Sequence, residues 1–229
     1  MDTLKLILVG NGSAGKTSIC TRFREDGFRR VYKQTIGIDF LEKKLKVRDK
    51  EVALQVWDIG GQSIGSKMLP QYVWGADIIF LCYDTTDIQS FADAEDWLSL
   101  TRRPPSSEHA EKGKGAVYLV GNKIDLESLR RVTENMHEKF IVDHGLSGGF
   151  LISARSGEAV LTAFYSAAAT FLGITLSSLE LELTDKVLAV TGAAKGGSDD
   201  ARLPGADAIE AADKAAMERG GSWGCCSVV

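Results

Sequence analysis

The sequence predicts a three-layer α/β fold: a six-stranded, mostly parallel sheet with one antiparallel strand and about five helices around it. Three observations lead there. Two apolar runs, IIFLCY at 78–83 and VYLV at 117–120, have no polar interruption, as strands buried on both faces require. Such runs alternate with helical stretches of ten or more residues, the pattern of strand–helix–strand units. A glycine-rich turn also passes from the first strand straight into a helix, GNGSAGKT at 10–17.

Residues 4–9 form the first buried strand and 16–24 the helix after the turn. Strands at 40–47 and 52–57 flank the turn residues Asp49 and Lys50, which predicts the antiparallel pair. A helix at 64–74, the strand 78–83 and a helix at 88–100 follow, then a polar loop and the strand 117–120. A helix at 133–144, a short strand at 150–152 and a helix at 158–172 complete the pattern. Beyond Gly173 the composition changes. Residues 176–190 could add a short helix capped by Ser177 or Ser178. Residues 191–229 are rich in Ala, Gly and Asp, with no aromatic before Trp223, and predict a flexible tether.

A net charge of −4 argues against broad nucleic-acid binding, which needs a basic face. No apolar run approaches the ~20 residues of a membrane-spanning helix, and the first residues lack a basic flank or cleavage site, so a cytosolic start is expected. Cys20 and Cys82 sit singly in apolar segments, where a thiol acts as a small hydrophobe. The histidines His109, His137 and His144 show no metal-ligand spacing and are expected on solvated surfaces.

Ligands of open α/β sheets bind at the carboxyl ends of the strands, so the motifs there carry the chemistry. The loop Gly10, Asn11, Gly12, Ser13, Ala14 and Gly15, followed by Lys16 and Thr17, fits GxxxxGK[ST] between a strand and a helix. Its backbone N–H groups and the helix N-terminus converge on phosphate oxygens, with Ser18 in the same site. Lys16 would reach the β- and γ-phosphates, and the Thr17 hydroxyl would ligate Mg²⁺. In VWDIGGQ at 56–62, Asp58 could hold Mg²⁺ through water, Gly61 could offer its N–H to the γ-phosphate, and Gln62 could orient the attacking water.

The third motif, GNKID at 121–125, follows a strand. A fixed carboxylate can accept both N1–H and the exocyclic amine of guanine, a donor pair adenine lacks, so Asp125 is the specificity residue. Asn122 would bond the other edge of the base and the Lys123 stem would lie over the ring. Backbone amides of Ser153, Ala154 and Arg155 could bind the guanine O6, although this segment alone equally suits a helix N-cap.

With the phosphate loop, WDIGGQ, NKID and SAR in this order, the chain resembles the Ras superfamily of small GTPases over about residues 3–175, leaving the tether outside. The resemblance implies a P-loop GTPase fold in a domain over 1–175. It also implies a monomer that cycles between GTP and GDP with Mg²⁺, served by an exchange factor, an activating protein and effectors. It assigns Thr35 to Mg²⁺ and the γ-phosphate, Phe28 to packing on guanine, and Tyr32 to covering the phosphates. IGIDF after Thr35 and LQVWD resemble the Rab group. WDIGGQ, with Gly60 where most relatives carry alanine, resembles its divergent Rab twenty-eight branch, linked with endosomal and ciliary traffic. Ser63 departs from the family by replacing the glutamate that normally follows the glutamine, which puts recognition by ordinary Rab regulators in doubt. The switches offer no candidate arginine, so a cationic finger is expected from an activating protein.

Cys225 and Cys226 end the tether as a CaaX-like or double-cysteine prenylation motif. Residues 185–224 hold five Lys/Arg against seven Asp/Glu, so no polybasic patch assists a single lipid, and two lipids are the better physical reading. The expected location is the cytoplasm and the cytoplasmic face of cell or endosomal membranes. Two rivals stay open at this point: a metabolic P-loop kinase, and a scaffold that holds GTP without turnover.

Overall fold

Alternation within the strands decides the architecture. In the computed structural model, which describes residues 2–25, 34–61, 69–102, 115–177 and 179–181, the strands are β1 (Asp2–Val9), β2 (Ile38–Val47), β3 (Lys50–Ile59), β4 (Ile78–Asp84), β5 (Ala116–Asn122) and β6 (Gly148–Leu151). They form one sheet in the order β2-β3-β1-β4-β5-β6, antiparallel between β2 and β3 and parallel elsewhere. Successive side chains of a strand point to opposite faces. Thus Leu4, Leu6 and Leu8 enter one core with Phe80 and Cys82, while Ile7 and Val9 enter a second core with Leu81 and Tyr83.

Helices α1 (Lys16–Glu25) and α6 (Val160–Phe171) cover the first face. Phe23 stacks on Phe164 there with ring centroids 3.9 Å apart, and the buried Ala167, Ala168 and Ala169 let α6 lie close to the sheet. On the second face lie α2 (Leu69–Val73), α3 (Ile88–Ala92), α4 (Ala94–Thr101) and α5 (Glu134–His144). Thr133 caps α5 by accepting from the Met136 N–H, and Gly145 ends it in the left-handed region at φ 59°.

Two local expectations need correcting. The single helix expected at 88–100 is two, because Asp93 closes α3 and opens α4. His137 is not a surface residue: it is 4% exposed, and its Nδ1 lies 2.9 Å from the Tyr83 hydroxyl. The apolar side of α5 carries it inward, and a lone histidine gives no sequence sign of this. Of the helix expected at 64–74, residues 64–68 lie outside the described residues, as does His109. Cys20 and Cys82 are buried free thiols, as expected, and burial pushes Cys82 up to about 12.

The segment after α6 folds back toward the sheet. Ser177 and Glu180 form a capping box in which Ser177 Oγ accepts the Glu180 N–H and the Glu180 carboxylate accepts the Ser177 N–H. Arg48, in the β2–β3 turn, grips the same carboxylate with Nε and Nη2 at 3.0 and 3.1 Å and donates to the Thr175 carbonyl. Only residues 179–181 of the possible helix at 176–190 are described as helical.

Candidate functional site

The phosphate loop joins β1 to α1 at the carboxyl end of the sheet. Gly10, at φ 136°, passes so close to β4 that a Cβ there would collide with the Cys82 carbonyl. Ser13 also takes a positive φ, 65°, at a cost of ~1–2 kcal/mol for an L-residue. Strain of this kind persists only where the surroundings impose it. Lys16 is 5% exposed, and its ammonium donates back to the carbonyls of Gly10 at 2.7 Å and Asn11 at 2.8 Å. Burial lowers its pKa, with Asp58 opposing the shift.

Three oxygens meet beside the loop. Thr17 Oγ1 donates to Asp58 Oδ2 at 2.5 Å and lies within hydrogen-bond distance of Thr35 Oγ1, at 2.7 Å. Asp58 is 2% exposed, and its Oδ1 has no partner. Burial raises its pKa to about 6, against the lowering effects of Thr17 and Lys16. At the end of β3, Gly60 donates to the Gly37 carbonyl, tying the segment after β3 to the segment before β2. Gly61 abuts the phosphate loop so closely that a Cβ would collide with the Asn11–Gly12 peptide.

The second cluster lies at the ends of β5 and β6. Asn122, 1% exposed, donates to the Ala14 carbonyl at 2.9 Å and accepts the Ala154 N–H at 3.0 Å. It therefore clamps the phosphate loop to the segment after β6, and one amide hydrogen is left for a base. Asp125 accepts from Ser153 Oγ at 2.6 Å, and Arg155 Nη1 stands 3.6 Å from its other oxygen. Lys123, at φ 70°, pairs through Nζ with Asp84 at 2.6 Å. Among the amides expected to face the base, Ser153 N–H donates to the Glu158 carbonyl and Ala154 N–H to Asn122. A guanine O6 would have to share or displace the second of these.

The expected residues thus come together in two adjoining clusters, and every expected site residue from Gly10 to Ser18 lies in the loop or the start of α1. Phe28, Tyr32, Gln62, Cys225 and Cys226 lie outside the described residues. Sequence reasoning missed Asp84, the anchor of Lys123, and Arg22, whose guanidinium donates from α1 to the carbonyls of Ala154 and Arg155. Neither belongs to a recognisable motif.

Residues 5–172 match the Ras family. The chain belongs to that family. This Ras-family protein is similar to the Ras-related protein Rab-28 of Caenorhabditis elegans, with 41% identity over 181 residues, covering 78% of this chain and 71% of that one. It is also 38% identical over 168 residues to the Ras-related proteins Rab-13 of Mesocricetus auratus and Bos taurus, covering 73% of this chain and 79% of each. It is therefore a Rab-type small GTPase that binds GTP and GDP and hydrolyses GTP, and the rival reading as a metabolic kinase falls.

Proposed function

We propose that this Rab-type GTPase is a magnesium-dependent switch that recruits effectors to membranes in vesicle, endosomal or ciliary traffic. The convergence of Thr17, Thr35 and Asp58 carries the reading. Two hydroxyls and a buried carboxylate oxygen without a partner suit a small hard cation. Thr17, Thr35 and Asp58 would hold magnesium there, and it would supply positive charge against the phosphates.

The chain's own groups do the rest. Lys16 leaves the Gly10 and Asn11 carbonyls for the β- and γ-phosphates. Asp125 reads guanine, Asn122 bonds its other edge, and Lys123, Phe28 and the Ser153–Ala154–Arg155 segment hold the base. Thr35 and Gly61 register the γ-phosphate, Tyr32 covers it, and Gln62 orients the attacking water. Loss of that phosphate frees Thr35 and Gly61 together, since Gly60 and Gly37 are bonded to each other. The face presented to effectors in the GTP state includes Ile36, 66% exposed, Gly37, Ile38 and Phe40, whose ring meets Trp57 edge-on at 5.4 Å. Prenyl groups on Cys225 and Cys226 supply the membrane anchor.

Purified full-length protein should bind GTP and GDP but not ATP, and EDTA should weaken that binding. Gln62→Leu should slow single-turnover hydrolysis roughly a hundredfold, the scale of a lost positioning group. Equal rates in mutant and wild type would remove Gln62 from the mechanism.

A further inference from the structure

Asn11 is held from three directions, and only one of them belongs to the phosphate loop. Its carbonyl accepts from Lys16 within the loop. Gly61 presses on its peptide from the second switch. Its side chain is taken by the helices on the far face: Nδ2 donates to Asp93 Oδ2 at 2.6 Å, and Oδ1 accepts from Trp97 Nε1 at 2.8 Å. Trp97 is fully buried at 0% exposure, so its N–H has nowhere else to go without an unpaired donor in the core.

Asp93 makes the arrangement more than incidental packing. It stands at the N-cap of α4, where an aspartate ordinarily bonds the helix amides, yet it makes no side-chain cap bond. Its carboxylate is turned to Asn11 instead, with the other oxygen braced by Gln89 Nε2 at 2.7 Å. Helix α4 in turn shares its core with α2, since Trp97 and Leu98 cluster with Leu69 and Val73, directly after the second switch.

Building on the nucleotide-site reading, we propose that Asp93 and Trp97 are positioning residues for the phosphate loop, coupling nucleotide retention to the α3–α4 helix pair, whose α4 packs against α2. A partner that shifts α2 against α4 moves Asn11 through these two bonds, and with it the two carbonyls on which Lys16 rests. Both residues act on the loop through Asn11. Asn11 suits the post because it offers one donor and one acceptor on a short stem; aspartate there would set two carboxylates face to face.

The test is dissociation of labelled GDP from the full chain, chased with excess unlabelled GDP at fixed magnesium. Trp97→Phe keeps the ring and removes the N–H, and should speed release about tenfold, the scale of one buried hydrogen bond made in the bound state. Asn11→Asp should speed release more. The double variant N11D/D93N exchanges carboxylate and amide, rebuilds both bonds, and should return release to within about twofold of wild type, as expected when a coupled pair is restored. A merely structural role would lower thermal stability in the single variants without this rescue of the rate. Gln89→Ala, at an exposed side chain, should give a smaller increase and serves if N11D fails to fold. Unchanged release in both W97F and Q89A, or a double variant no slower than N11D, would overturn the proposal. A wild-type chain that does not retain GDP over ADP would instead overturn the nucleotide reading beneath it.

Discussion

The two halves of the site are built on opposite terms. Around the base, the polar side chains have protein partners: Asn122 bridges two loops, Asp125 holds Ser153, and Lys123 rests on Asp84. Around the phosphates, Ser13 is strained, the Lys16 ammonium is folded onto carbonyls, and an oxygen of Asp58 is buried without a partner. The first half is preorganised, and on the proposed assignment it would discriminate between bases, because a wrong base would leave fixed polar groups unpaired. On the proposed reading the second half would be completed by its ligand, so its order would follow the ligand's state.

The contrast can be broken at three points. Asp125→Ala should have the largest effect, removing two charge-assisted bonds to guanine and weakening GDP by about 4 kcal/mol, roughly a thousandfold, in equilibrium titration. A loss below tenfold would mean that the base half does not set specificity. Next comes acid. His137, behind the base half, has its pKa lowered to about 4, chiefly by burial, from an unfolded value near 6.5. The unfolded chain therefore takes up the proton first. Stability contributed by neutral His137 is complete above pH ~6.5, falls as the pH drops toward 4, and levels off below, a loss on the order of 2–3 kcal/mol. Denaturant midpoints between pH 7 and 4.5 should show it, and His137→Gln should flatten that part of the profile.

The smallest effect has the opposite sign. Asp58→Asn keeps an acceptor for Thr17 and removes a buried charge, so the nucleotide-free chain should gain about 1 kcal/mol. The same variant should lose the stabilisation that wild type gains from GDP with magnesium. A destabilised nucleotide-free variant would show that Asp58 is as well satisfied as the base half.

The fold was legible because burial on both faces left IIFLCY and VYLV without polar residues, and because GNGSAGKT has one common structural context. The site motifs were legible for a related reason: phosphate and guanine demand particular donors and acceptors at short spacing. What escaped reading depends on contacts across long separations. Nothing in SFADAEDW marks Asp93 as a break, since its carboxylate is drawn away by a loop 82 residues earlier. His137 looked like any helix histidine until Tyr83 supplied its partner, 54 residues away. Asn122 was read as a base contact from its motif, while its bonds to Ala14 and Ala154 required knowing which loops the sheet order brings together.

The grip of Arg48 on Glu180 has a geometric consequence. The β2–β3 turn lies beside the beginning of β1, since Asp2 pairs with Val52, whereas the nucleotide loops follow the strand's other end. Residues Thr175 and Glu180 are therefore held at the end of the sheet opposite the nucleotide loops. Because the grip is solvent-exposed, raising ionic strength should weaken it and free residues 175–181 from the β2–β3 turn.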